Sequence, residues 1–129
     1  MHEVNLPAVV DELAHTFERY ERALVDRDLE VLGQFFTEHG DVVRFGVADR
    51  QHGPDELARW RASQPALPPG RSLAETTITT YGTDLGIVST HFSYPGRPRI
   101  GRQSQTWLRE DGRWCIVHAH VSEIPAPET

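Results

Sequence analysis

Two residues in the first half of the chain combine a reactive side chain with an apolar setting. Tyr20 lies on a helical apolar stripe, three residues after Phe17 and four before Leu24, so its hydroxyl is expected to face the interior. Arg44 lies in an apolar strand pattern, where a buried unpaired charge would be costly. A phenol can transfer a proton and a guanidinium can bind a carboxylate. Together they are candidates for proton transfer at an anionic ligand.

Each of these two residues also has a purely structural interpretation. A buried tyrosine is commonly a core residue whose hydroxyl finds a hydrogen-bond partner. Arg44 could pair with an acid or reach solvent at the strand edge, instead of waiting for an anionic ligand. The residue pattern alone leaves these alternatives open.

The third of four predicted long strands has two alternating faces with different polar side chains. One face carries Arg102 and Ser104 and is paired with small apolar residues of the last strand. We predict that this face covers a pocket and that Arg102 and Ser104 bind substrate there. Gln103 and Gln105 lie on the other face and replace them if the register is inverted.

The opposite face of the last two strands is richer in large side chains, with Trp107, Trp114, Ile116 and His118. A mixture of aromatic and polar groups suits a subunit interface. Such a surface is also too apolar to stand free on a monomer. We therefore predict a homodimer that forms through the sheets.

Other reactive side chains receive minor roles. Arg61 ends the third predicted helix near the expected pocket mouth and is a candidate substrate-binding residue. His118 and His120 have a spacing that can hold zinc, but no third ligand accompanies them, so no metal site is predicted. Cys115 lies in a strand pattern and is expected to be a small buried apolar residue. The sequence contains no nucleophile elbow, phosphate loop or dinucleotide fingerprint.

The composition limits the partners of the chain. The net charge is −6, which argues against nucleic acid and anionic membrane surfaces as partners. All thirteen cationic side chains are arginine, the residue whose planar fork matches a carboxylate. The single cysteine excludes an internal disulfide, and the N-terminus has no apolar stretch typical of a secretion signal. A cytoplasmic location is therefore expected.

Periodicity predicts the elements that position these side chains. Asn5 can cap a helix that carries the stripe from Leu6 to Leu24, and Asp28 can cap a second, shorter helix. A third helix begins at Pro54 and runs to about residue 64. One short strand is predicted at 41–46, and four long strands at 71–81, 85–94, 99–109 and 113–124.

Helices followed by a meander of strands predict one α+β domain over residues 1–129. Three helices should pack on the concave face of a curved antiparallel sheet. The space between the two layers should hold a small ligand.

The order of elements and the run Trp-Cys-Ile-Val-His-Ala-His-Val-Ser at 114–122 resemble the nuclear transport factor 2-like, or SnoaL-like, superfamily. More closely, the chain resembles the AtzH-like family, which includes the HpxZ-type oxalurate catabolism proteins. The resemblance implies a cone-shaped fold. The matching segments are 3–7, 17–24, 43–46, 77–82 and 99–107.

The family resemblance implies hydrolysis of 1,3-dicarboxyurea to allophanate, with a tyrosine and an arginine that fall on Tyr20 and Arg44 by motif. The expected protein is a metal-independent amidohydrolase, without a cofactor, that acts on a small dianionic ureide. Two interior arginines would bind its two carboxylates. Arg44 would also favour the phenolate form of Tyr20, which could act as base or, when protonated, as acid.

Two other functions are considered. The chain could be a non-catalytic ureide-binding or accessory protein that assists a neighbouring amidase, and turnover would distinguish this from an enzyme. It could also be an isomerase or cyclase of the wider superfamily, whose sites use an interior acid. No acid is predicted on the apolar stripes, so this function ranks last.

Overall fold

The apolar stripe near the N-terminus forms helix α1 (Pro7–Asp26) in the structure, a computed structural model that describes residues 3–127. Tyr20 lies on the buried side of this helix, as predicted. Asn5 does not cap it. Its Oδ1 instead accepts a hydrogen bond of 2.8 Å from the backbone N–H of Thr80, and its own N–H donates to the Thr80 carbonyl at 2.9 Å. These bonds tie the N-terminal segment to the sheet.

The second helix, α2 (Leu29–Gln34), begins where the sequence indicates. The side chain of Asp28 accepts a hydrogen bond of 3.2 Å from the N–H of Val31, which is the predicted cap. Arg27 separates the two helices with a φ of 52°, so the chain turns there. Helix α3 (Pro54–Ser63) then starts at the predicted proline.

Six strands form one sheet in the order β2-β1-β6-β5-β4-β3. Their bounds are β1 (Val43–Phe45), β2 (Arg50–His52), β3 (Ser72–Tyr81), β4 (Leu85–Ser93), β5 (Arg99–Glu110) and β6 (Arg113–Pro125). The four long strands agree with the prediction to within one residue at each end. Strand β2 was not predicted, because three residues are too few to show an alternating pattern.

The sheet is mixed, whereas the prediction was an antiparallel one. Strand β1 runs parallel to β6, with Arg44 opposite Ala119, while each other neighbouring pair in the order above is antiparallel. The reason is that the chain leaves β1 through β2 and α3 and returns beside it only with the last strand. The local pattern of apolar and polar residues does not indicate a pairing between segments so far apart in the chain.

The face of β5 that points inward is also the opposite of the one predicted. Gln103, Gln105 and Trp107 point inward, whereas Arg102 and Ser104 are exposed on the outer face. The expectation that Arg102 and Ser104 line the pocket was therefore wrong, and the alternative pair is correct. The buried volume of Trp107 decides the orientation, because this ring lies at 0% exposure in the core.

Most of the side chains predicted to form the dimer surface are buried, for the same reason. Trp107, Trp114 and Ile116 belong to the core, and only His118 of that group is exposed. An irregularity in the β5–β6 pairing follows Thr106, which lies opposite His118, while Trp107 lies opposite Ile116. The irregularity breaks strict alternation along β6. Ile116 and His118 therefore face opposite sides of the sheet, although the sequence pattern places them on the same face.

Helices α1, α2 and α3 cover the inner face of the sheet, and the core lies between the two layers. In the part of the chain that the structure describes, no helix has the length and apolar character needed to cross a membrane. Residues 1, 2, 128 and 129 of the predicted domain lie outside the described part.

Candidate functional site

A cavity of about 150 Å³ lies between the helices and the inner face of the sheet. A cavity of this size can hold a molecule as small as benzene. Most of its wall is apolar, with contributions from all three helices and from the sheet. The polar side chains that bear on its chemistry are Tyr20, Arg44, Arg61, Arg71, Gln103 and Gln105.

Tyr20 is held in this cavity by aromatic contacts. Its ring meets that of Trp107 edge-on, with centroids 5.9 Å apart, and that of Phe36 at 6.3 Å. The residue is only 6% exposed. Within residues 3–127 its hydroxyl makes no hydrogen bond to another protein group. The phenol therefore remains available to a ligand.

The protonation state of Tyr20 differs from the expectation. Burial, together with the negative charge of Glu21, raises the pKa of Tyr20 to about 12. The positive charges of Arg44 and the other two pocket arginines oppose this shift but do not cancel it. Arg44 therefore does not hold Tyr20 as a phenolate, and the side chain is a neutral proton donor near pH 7.

Arg44 forms an ion pair with Asp49 and also lines the cavity. Its Nη1 donates to Asp49 Oδ1 at 2.8 Å and to Gln51 Oε1 at 3.0 Å. Asp49 thus neutralises this charge. The guanidinium carbon of Arg44 lies 3.9 Å from the centroid of the Trp60 ring. Burial lowers the pKa of Arg44, against the charge of Asp49. Nε and Nη2 of Arg44 donate to no protein group in the described part of the chain.

Arg71 is a pocket residue that the sequence analysis missed. Its Nε donates to Glu21 Oε1 at 2.8 Å, and its Nη1 donates to the Tyr94 hydroxyl at 2.9 Å. The Arg71 and Glu21 side chains are only 4% and 11% exposed. Burial works against the charge on Arg71, but the hydrogen bonds and charge of Glu21 outweigh it and raise its pKa.

Glu21 corrects the expectation that no acid lies on an apolar stripe. It is buried and sits four residues after Phe17, a spacing that could have revealed it. Its Oε2 accepts from Arg71 Nη2 and from Gln103 Nε2, both at 3.3 Å. Since both of its oxygens are occupied, Glu21 is not placed as the free base that an isomerase site would use.

Arg61 is half-buried and lines the cavity, so it is less exposed than its predicted place at the pocket mouth implied. Its guanidinium carbon lies 4.7 Å from the centroid of the Phe36 ring. Burial lowers the pKa of Arg61, and the positive charge of Arg44 acts in the same direction. Within residues 3–127 no carboxylate lies within ion-pair distance of Arg61. Among the described residues of the pocket, Arg61 is therefore the cation without a carboxylate counter-ion.

The outer face of β5 has its own contacts. Arg102 Nε donates to the Ser122 hydroxyl at 3.1 Å, and the hydroxyls of Ser104 and Ser89 are 3.5 Å apart. His118 and His120 of β6 lie on the same side of the sheet and pack against Phe45. The described residues contain no group of three potential metal ligands.

Comparison with known proteins identifies relatives along nearly the whole chain. The model of the AtzH-like family matches residues 2–127. A cystatin-like fold protein from Burkholderia xenovorans is 42% identical, with a TM-score of 0.94, and the match covers 98% of this chain and 100% of that one. A protein of unknown function from Pectobacterium atrosepticum is 39% identical, with a TM-score of 0.90 and 94% of each chain covered. No curated protein matches the chain.

A more distant structure agrees on the fold. A nuclear transport factor 2-like protein from Pseudomonas putida is 21% identical, with a TM-score of 0.75, and the match covers 89% of this chain and 86% of that one. The expected α+β fold of this type, with three helices packed on one sheet, is thus confirmed. Since the family model spans almost every residue, the chain belongs to the AtzH-like family.

Proposed function

We propose that the protein is an amidohydrolase that cleaves a C–N bond of a small dianionic carboxylated urea, with 1,3-dicarboxyurea as the model substrate. The observation that carries the proposal is a cavity of about 150 Å³ in which, among residues 3–127, the neutral Tyr20 hydroxyl has no hydrogen-bond partner and the Arg61 guanidinium has no carboxylate partner. An unsatisfied phenol beside an unpaired cation suits an anion that must gain a proton.

The charge of the cavity favours an anion, and its free N–H groups offer a place for a second carboxylate. Arg44 is neutralised by Asp49, and Arg71 by Glu21, so Arg61 supplies the remaining positive charge. One planar carboxylate would pair with the Arg61 fork. The second carboxylate would accept from the free Nε and Nη2 of Arg44. The apolar wall strengthens both contacts by keeping water away.

The reaction needs one water molecule and one proton donor. Water adds its oxygen to a terminal carboxylate carbon, the bond from that carbon to the urea nitrogen breaks, and the nitrogen takes a proton. The dianion and water then become allophanate and bicarbonate. With a pKa of about 12, Tyr20 is suited to give the proton to the departing nitrogen and to regain one from the attacking water.

The test is turnover of freshly prepared 1,3-dicarboxyurea, followed by carbon-13 NMR for allophanate and bicarbonate above the uncatalysed rate. Tyr20→Phe should lower the rate by about 10²–10⁴-fold, the usual size of a general-acid contribution. Circular dichroism checks that the variant is folded. Normal turnover by Tyr20→Phe would show that the phenol takes no part in the reaction.

A second candidate is a non-catalytic ureide-binding protein that assists a neighbouring amidase. It is favoured by the fact that Glu21 and Asp49, the carboxylates bonded to pocket arginines, are not free to activate water. If the wild type binds the ureide at equilibrium but never accelerates its breakdown, this candidate replaces the enzyme.

A further inference from the structure

The side-chain amide of Gln105 reaches the cavity with part of its hydrogen-bonding capacity unused. The residue is 2% exposed and lines the cavity. Its Oε1 accepts a hydrogen bond of 3.1 Å from Trp107 Nε1. An indole N–H can only donate, so the oxygen end of the amide must face Trp107. Across residues 3–127, Gln105 Nε2 then donates to no protein group.

The orientation of this amide is imposed by Trp107. The Trp107 ring is fully buried and meets Tyr20 and Phe35 edge-on, with centroids 5.9 and 6.3 Å away. Its N–H direction is therefore set by packing, and the Gln105 amide is set in turn. Strand β5 lies between β4 and β6, which fixes the backbone under both residues. A donor supported in this way is organised before a ligand arrives.

Gln103 lies next to Gln105 on the same face of β5, but both ends of its side-chain amide are hydrogen-bonded. Its Oε1 accepts from Arg71 Nη2, and its Nε2 donates to Glu21 Oε2, each at 3.3 Å. The two glutamines thus have different roles although they are two residues apart. Gln103 completes a structural network, whereas Gln105 keeps its N–H groups for the cavity.

Each of the groups left open to a ligand can donate a hydrogen bond. The Gln105 amide nitrogen and the Arg61 guanidinium can only donate, and Tyr20 is a neutral phenol that can donate. We propose that Gln105 is a specificity-determining residue that donates from Nε2 to a carbonyl or carboxylate oxygen of the ligand, with Trp107 as its positioning residue. An amino group at that point would set donor against donor and leave both buried and unsatisfied.

This inference rests on the proposed function only in placing an anionic ligand in the cavity, and it does not require turnover. The test is therefore equilibrium binding by calorimetry, with malonate and biuret as probes. Both are small enough for the cavity, but malonate presents only acceptors at its ends and biuret presents amino groups. The wild type should bind malonate at least about tenfold more tightly than biuret, since a hydrogen bond to a charged group is worth roughly that factor or more.

Two variants separate recognition from folding. Gln105→Glu keeps an oxygen for the Trp107 indole but replaces the donor by an acceptor, and Gln105→Met removes the donor without adding charge. Each should bind malonate at least about tenfold more weakly. The matched control is Ser104→Ala, the adjacent residue on the outer face, which should bind as the wild type does.

NMR of the wild type supplies a readout that a structural role alone would not move. The Gln105 side-chain NH₂ signals, assigned by their absence in Gln105→Glu, should shift on addition of malonate, and the Trp107 indole signal should persist in that variant. The proposal is overturned if the NH₂ signals do not move, if Gln105→Met binds malonate normally, or if the wild type does not prefer malonate to biuret. Malonate selectivity without turnover of 1,3-dicarboxyurea would refute the hydrolase and leave this inference standing.

Discussion

The guanidinium of Arg44 stacks on Trp60, with its central carbon 3.9 Å from the centroid of the ring. The contact joins strand β1 to helix α3 at the wall of the cavity. Because the group is planar, it can stack on the ring and donate to Asp49 from its edge at the same time. A point charge could not satisfy both contacts.

Arg44→Lys tests the importance of this geometry. We expect malonate binding and ureide turnover to fall by about tenfold or more although the charge is kept, because lysine has neither the fork nor the flat face. Calorimetry and the carbon-13 assay give the two values. Arg59→Lys, at an exposed position of helix α3, is the control and should change neither. Equal behaviour of the two variants would contradict the prediction.

A substitution at Gly46 can displace the Arg44–Asp49 ion pair without changing the charge of either residue. A Cβ at this position would lie 2.5 Å from Asp49 Oδ1 and 2.7 Å from Arg44 Nη1. Gly46→Ala should therefore displace the pair and weaken malonate binding. At Gly40 a Cβ would meet nothing within 4 Å, so Gly40→Ala is the matched control. Wild-type affinity in Gly46→Ala would mean that the cavity tolerates movement of Arg44.

The buried pair of Glu21 and Arg71 should matter for stability. Glu21→Gln leaves the Arg71 charge without its counter-ion, and we expect the free energy of unfolding to fall by about 3 kcal/mol. Urea denaturation followed by fluorescence measures this. Glu12→Gln is the control, because its ion pair with Arg109 is more exposed to solvent than the buried pair and should contribute less. A loss no larger than the control's would show that solvent reaches Arg71.

The pKa of Tyr20 predicts how stability changes at high pH. Its value of about 12 in the folded protein exceeds the ordinary 10.0, so the folded state holds the proton more tightly than the unfolded chain. The resulting stability is complete below pH 10 and is lost as the pH rises from about 10 to 12. Tyr20→Phe should lack this part of the loss, which is on the order of 2–3 kcal/mol. Urea unfolding of both proteins across this range provides the comparison, and parallel curves would exclude the shift.

The homodimer remains a prediction, but it now concerns a different surface. With Trp107 and Trp114 in the core, the outer face of the sheet presents Phe45, Ile87 and His120 instead. We propose that two copies pair through this face. Light scattering at micromolar concentration should give twice the 14.6 kDa of one chain. Phe45→Asp should give the monomer mass, and a monomeric wild type would end the proposal.

The features that depend on residues close together in the chain can be predicted from the amino-acid pattern alone. The inward side of α1, and with it Tyr20, follows from the 3.6-residue spacing of apolar side chains. The ends of the long strands follow from turn residues such as Gly82 and Gly112, where φ is 65° and 78°. The Asp28 cap is equally local, since it joins residues three apart.

The set of side chains that meet in the cavity depends on how distant segments pack and cannot be read from the local pattern. Glu21 and Arg71 are fifty positions apart, and their pairing depends on how α1 packs against the sheet. The inward face of β5 depended on the core volume that the Trp107 ring fills. Alternation along a strand defines two faces but does not say which one is covered. That choice, which places Gln105 inside and Arg102 outside, comes from the packing of the whole chain.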